Sequence, residues 1–208
     1  MTESVILVGA SGLAREVIAA GSAEIVGILD DDPVLHGTEI AGIPVVGGVA
    51  DAAHRAGRLL VCVGSGAARR DIVRRLRRIG VGADRFMTFV APSARIGRSS
   101  RLGPGSILLD AVVVTADASI GRHVVVMPNV TITHDAVLED FVTLAAGVSL
   151  GGAVRIREGA YIGMNASVRQ HLVVGADATL GMGAALLSHV PDGETWAGVP
   201  ARRLERRP

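Results

Sequence analysis

From Val90 to Leu186 every sixth position is valine, isoleucine or leucine, seventeen anchors in a row without a slip. Four residues after an anchor the chain carries mostly alanine, serine or valine, as at Ala94, Ser100, Val112, Ala118 and Val130. One residue after it glycine recurs, at Gly97, Gly103, Gly121, Gly151, Gly163, Gly175 and Gly181. A period of six fits neither the turn of an amphipathic helix nor the alternation of hairpin strands. It predicts a parallel β-helix, in which each hexad is a short strand plus a corner and three hexads close one triangular coil. The anchors point inward and stack coil upon coil, and the small residue shares the narrow interior. Between about five and six coils, each rising by ~4.8 Å, make a prism on the order of 27 Å tall.

Upstream of Val90 the period disappears. VILVG reads as a strand, GASG as a turn and LAREVIAAG as a helix. EIVGILDDD and LLVCVGSG read as a second and a third strand, and AARRDIVRRLRRIG as a helix with Ile72, Val73, Leu76 and Ile79 on its apolar face. This alternation predicts a small parallel sheet, half of a doubly wound fold. The expected organisation is an α/β half-Rossmann domain over residues 1–88, a β-helix of hexapeptide repeats over 89–190, and a tail over 191–208 that leaves the register and carries the only Trp.

The 208 residues are 49% hydrophobic, enough for a sizeable core, yet only 2% are aromatic. The interior of a narrow coil explains that scarcity, and the same scarcity speaks against nucleic-acid modules that stack bases on aromatic platforms. A net charge of +1 gives no strong attraction to DNA or to an anionic membrane. The longest apolar stretches are broken by Asp110 and Asp117, and the N-terminus lacks the basic flank of a signal peptide, so a cytoplasmic protein is expected. All basic residues are arginine, which excludes a lysine Schiff base and a Walker-type phosphate loop. The single cysteine, Cys62, has no partner for an intramolecular disulfide and sits in an apolar run that reads as buried and inert.

Candidate chemistry gathers at two places. GASG, Gly9 to Gly12 with Ser11 inside it, stands where a strand turns into a helix and offers backbone amides to a phosphate. Asp30 closes the second strand, where an acid meets a ribose hydroxyl in nucleotide-binding folds. Six of the ten residues from Arg69 to Arg78 are arginine; most of that run reads as a solvated helix face, but Arg69 lies at the helix start, within reach of a diphosphate. His123, His134 and His171 lack the spacing of a zinc site, so no metal is expected. His134 and Asp135 fall at a corner, where both side chains can point outward and the acid can hold the imidazole as a general base. One coil further on the same edge is Gly152, whose amide is free to meet an acyl oxyanion.

These motifs together resemble the sugar O- and N-acyltransferases of the left-handed β-helix class, in the branch of sialic-acid O-acetyltransferases and UDP-amino-sugar N-acetyltransferases of bacillosamine synthesis. The matching residues are GASG with Asp30 and Asp31, the VGSGAAR turn with Gly64 and Arg69, THDAVLEDF around His134, and the terminal GVPAR. The resemblance implies a left-handed coil and a homotrimer. It also implies acetyl-CoA as co-substrate in the groove between neighbouring prisms, with backbone at Met164 and Met182 against the CoA arm, and a nucleotide-sugar on the N-terminal domain. Three positions depart from the family pattern: Leu13 and Thr143 stand where relatives often have histidine, and Met127 where they have asparagine. The expected activity is transfer of acetyl from acetyl-CoA to an amino or hydroxyl group of a nucleotide-activated sugar. An acyltransferase for a small non-sugar acceptor and a non-catalytic β-helix scaffold remain as alternatives.

Overall fold

The apolar run Val5–Val8 forms strand β1, buried along its whole length. Ser11 then caps helix α1 (Gly12–Ala20), its Oγ accepting from the Leu13 N–H, and Gly21 closes the helix in the left-handed conformation. Strand β2 (Ile25–Leu29), a hairpin of β3 (Glu39–Ile40) and β4 (Ile43–Gly47), strand β5 (Arg58–Val61) and helix α2 (Gly66–Arg78) follow. The sheet runs β3-β4-β2-β1-β5 and is parallel except for β3. The β3–β4 hairpin is an addition to the three strands expected from the sequence. IPVVG contains Pro44 and lies between glycines, features that weaken a strand signal. It becomes a strand because Val45 is 2% exposed and packs into the core beneath α1. These are features of a computed structural model, which describes residues 4–205; residues 1–3 and 206–208, the outer ends of the expected first domain and tail, lie outside the described residues.

From Phe89 to Leu186 seventeen two-residue strands follow, each ending on one of the predicted anchors. Every strand pairs in parallel with the strand three hexads away, as Val114 does with Ile96 and Ile132. The three faces of the prism are sheets of six, five and eight strands, the last including two from the tail. The interior is built of Val, Ile, Leu and Ala, with Trp196 packed against its end. From Leu102 to Leu180 the corners are made by the third residue after each anchor, which takes a positive φ, as at Asp117 (55°), Asn129 (60°) and Asp135 (59°). Asn, Asp, His and Gly adopt this conformation most readily, and they fill most of these corners. Thr195–Ala197 adds one more parallel rung, and Arg202–Arg203 turns back antiparallel on it, so the tail closes the end of the prism.

The eight-stranded face carries the N-terminal domain. Its outward residues Ile107, Leu109 and Val125 share a core with Leu7, Leu13 and Ala14, on the α1 side of the sheet. On the α2 side, Phe141 joins Ile6, Val73, Leu76 and Phe86. Both layers of the half-Rossmann unit are thus completed by the β-helix. Cys62 is buried in the core on the α1 side, and desolvation pushes its thiol far above the usual range. Among the described residues no helix is long and apolar enough to cross a membrane.

Candidate active site

Corner geometry places His134 and Asp135. Because Asp135 takes the left-handed conformation, consecutive side chains leave the prism on the same side, and both are more than half exposed. His134 Nδ1 lies 2.8 Å from Asp135 Oδ2. An ionised carboxylate only accepts, so Nδ1 carries the proton and Nε2 presents a lone pair outward. The next coil explains Gly152: a Cβ there would lie 2.5 Å from both Cε1 and Nε2 of His134. Only glycine lets the imidazole lie against that rung. The Gly152 carbonyl accepts from the His171 N–H, whereas its own N–H has no partner among the described residues.

The glycine turns of the N-terminal domain are interlocked. A Cβ on Gly9 would come within 2.7 Å of Val63 Cγ2, so the turns after β1 and β5 approach each other closely. Ser11 Oγ donates to the Cys62 carbonyl across the same gap. Asp30 accepts from the Ala10 N–H at 2.7 Å and from the Asp32 N–H at 2.9 Å, keeping further lone pairs for a ligand. Asp31 accepts from Val49 N–H and from Arg75, and the Arg75 guanidinium holds its carboxyl below the usual range. Since β2 and β5 flank β1, the crevice between these two turns is the topological switch point, where open α/β sheets bind ligands.

That crevice opens into a cavity of about 580 Å³ between α1 and the β-helix. Ser11, Gly12 and Gly64 line it from one side and Met164 from the other. Leu13, Met127 and Thr143, the three departures from the family pattern, all converge on it as well. Glu16 and Tyr161, which the sequence reading did not single out, complete its polar lining. Glu16 follows Gly12 by one helical turn, and burial raises its carboxyl above the usual range. Tyr161 occupies the outward position before an anchor and is the chain's single tyrosine. Both positions were readable in principle from helix and hexad spacing.

The assignment of Arg69 to a diphosphate is corrected. Arg69 is completely buried, and all three of its nitrogens are consumed. Nε donates to the His123 carbonyl, Nη1 to the carbonyls of Val63 and Gly64, and Nη2 to those of Phe141 and Val142 and to Thr143 Oγ1. No donor is left for a ligand. Nor does one chain unite the two candidate sites. His134 and Gly152 follow anchors of the six-stranded face, whereas Met164 and Met182 follow anchors of the eight-stranded face and stand at a different corner. Met182 is 71% exposed, one coil beyond Met164, which accepts from the Gly183 N–H.

Comparison with known proteins bears on this arrangement. Residues 4–76 match the PglD N-terminal domain. The acetyltransferase domain of PglB from Neisseria gonorrhoeae FA1090, solved with acetyl coenzyme A, is 31% identical, with a TM-score of 0.87 over 98% of this chain and 100% of that one. A histidine-to-alanine variant of GDP-perosamine N-acetyl transferase from Caulobacter crescentus, with CoA and GDP-perosamine, is 28% identical, with a TM-score of 0.89 over 97% of both chains. WeeI from Acinetobacter baumannii AYE is 26% identical, with a TM-score of 0.83 over 96% of this chain and 99% of that one. No curated protein sequence matches the chain. With its PglD-type N-terminal domain joined to a left-handed β-helix, the chain belongs to the hexapeptide-repeat family of nucleotide-sugar acetyltransferases.

Proposed function

We propose that the chain transfers the acetyl group of acetyl-CoA to an amino group on a nucleotide-activated sugar, with His134 as the base. The observation that carries this reading is the His134–Asp135 pair lying over Gly152. The acceptor amine gives up a proton to Nε2 as its nitrogen attacks the thioester carbonyl. The Gly152 N–H meets the oxygen that becomes negative, and the C–S bond then breaks. The leaving thiolate recovers the proton from the imidazolium, so one acetyl group moves and the base is restored. Asp135 stabilises the imidazolium in between. No acyl-enzyme is required, because both substrates are held together.

The nucleotide sits at the switch-point crevice, with Gly9, Gly12 and Gly64 allowing close backbone approach and Asp30 facing the ribose. The sugar extends into the cavity against Leu13 and Met127, and these two apolar walls govern which sugar fits. Because His134 stands at another corner of its own prism, it serves the cavity of a neighbouring protomer. A cyclic homotrimer supplies three equivalent grooves, each with Met164 and Met182 along the pantetheine. Acetyl-CoA and a nucleotide-sugar are both charged and do not cross a bilayer, which supports a cytoplasmic reaction.

The test is acetyl-CoA turnover against a panel of UDP-, GDP-, dTDP- and CMP-linked amino sugars. Exchange His134→Ala should lower kcat by about 10²- to 10⁴-fold and leave the KM for acetyl-CoA unchanged. A variant retaining half the wild-type rate would show that His134 is not the base.

A further inference from the structure

Arg69 is a cation taken out of water without a carboxylate beside it among the described residues. Burying an uncompensated charge is costly, and here only oxygen dipoles offset the cost. Those oxygens have a revealing distribution. Two of them, the carbonyls of Val63 and Gly64, belong to the turn after β5. The other four, on His123, Phe141, Val142 and Thr143, belong to two successive coils of the β-helix. Thr143 Oγ1 closes the loop by donating to the Gly64 carbonyl at 3.0 Å. Gly64 and Thr143 also both line the cavity, one from each domain, so this hydrogen bond joins its two sides.

We infer that Arg69 is a positioning residue for the acceptor sugar: through the Gly64 carbonyl and the Thr143 hydroxyl it fixes the separation of the two cavity walls, so that a sugar anchored on one domain meets the β-helix at one depth. This rests on the acetyltransferase reading above. A guanidinium suits the task because its donors leave one rigid plane in several directions, whereas an ammonium at the same place would reach about half of the six acceptors. Met164 lines the same cavity, but neither it nor Met182, on the acetyl-CoA edge, bonds to this network. Loss of the pin should therefore be felt by one substrate and not by the other.

The experiment compares Thr143→Val, Thr143→Ser and Arg69→Lys with wild type, reading both KM values, kcat and the thermal midpoint. Thr143→Val keeps shape and removes the hydroxyl; it should raise KM for the nucleotide-sugar about five- to tenfold, with KM for acetyl-CoA unchanged. Thr143→Ser, which keeps the hydroxyl, should restore the wild-type value. Arg69→Lys should show the same one-sided rise, and if it fails to fold, the Thr143 pair still decides. A fall in thermal midpoint with both KM values unchanged would overturn the inference and leave Arg69 a purely structural residue. Equal rises for both substrates would overturn it too. A wild-type chain inactive on every sugar would instead remove the acetyltransferase reading, and with it this role.

Discussion

His123 shows how one buried side chain ties stability to pH. It is 2% exposed and lies between Phe86, edge-on at 4.7 Å, and Phe141, nearly parallel at 5.3 Å. Burial lowers its pKa to about 4, and the Arg69 cation acts in the same direction. The unfolded imidazole titrates near its ordinary value of about 6.5. Between those two values the unfolded chain binds a proton that the folded chain refuses, so stability falls as the pH drops from about 6.5 to about 4. Thermal midpoints measured across that range should decline in the wild type and decline less in His123→Phe. Parallel curves would mean that other groups control acid stability. His134 was legible at this scale because hexad register gives its corner and its neighbour one coil away. Arg69 was not legible: its acceptors include carbonyls 54 to 73 residues distant, and a helical arginine beside a glycine turn ordinarily reaches solvent.

At the scale of elements the β-helix was readable almost strand for strand, because the same rule is restated in every hexad and no single substitution erases it. The β3–β4 hairpin states its case only once, in a run with a proline. The corners carry a second, fainter rule. Ala111 and Ala153 hold φ values of 55° without a side chain that eases them. An L-residue in that region costs roughly 1–2 kcal/mol relative to glycine, part of which glycine returns as backbone entropy. Ala111 is exposed and touches no proposed ligand, so Ala111→Gly should stabilise the chain by up to about 1 kcal/mol, seen as a higher midpoint in chemical denaturation. An unchanged or lower midpoint would mean that the corner is unstrained.

At the scale of the whole molecule, neither layer of the N-terminal domain closes on itself. The cavity inherits this: one wall comes from α1 and the turn after β5, the other from the outward side of the eight-stranded face. The sequence separated the two domains at the loss of the hexad period but gave no hint that they share a core, since outward positions of a β-helix follow no pattern of their own. The proposed trimer extends the same logic from domains to protomers. Chains carrying His134→Ala, inactive alone, should regain partial activity when co-assembled with chains bearing a bulky residue at Met182, because a mixed trimer contains some grooves with neither defect. No recovery on mixing, or a fully active monomer in sedimentation at assay concentration, would exclude a shared groove.

The tail matters for what the prism must not do. A stack of parallel rungs is a template at both ends, since its last strands carry the same unpaired amides and carbonyls that hold every coil to the next. At the lower end the six- and five-stranded faces begin with Arg95–Ile96 and Arg101–Leu102, whose exposed arginines repel a like copy. At the upper end Arg202–Arg203 pairs antiparallel to the rung beneath it, and Ala201 N–H and the Gly198 carbonyl satisfy the main chain of Ala185. Chains ending at Val190 should therefore grow end to end, with light scattering that rises with protein concentration while the full-length chain stays constant. In that view the segment from Thr195 to Arg203 acts as a terminator, setting the length of a ladder whose repeat contains no instruction to stop.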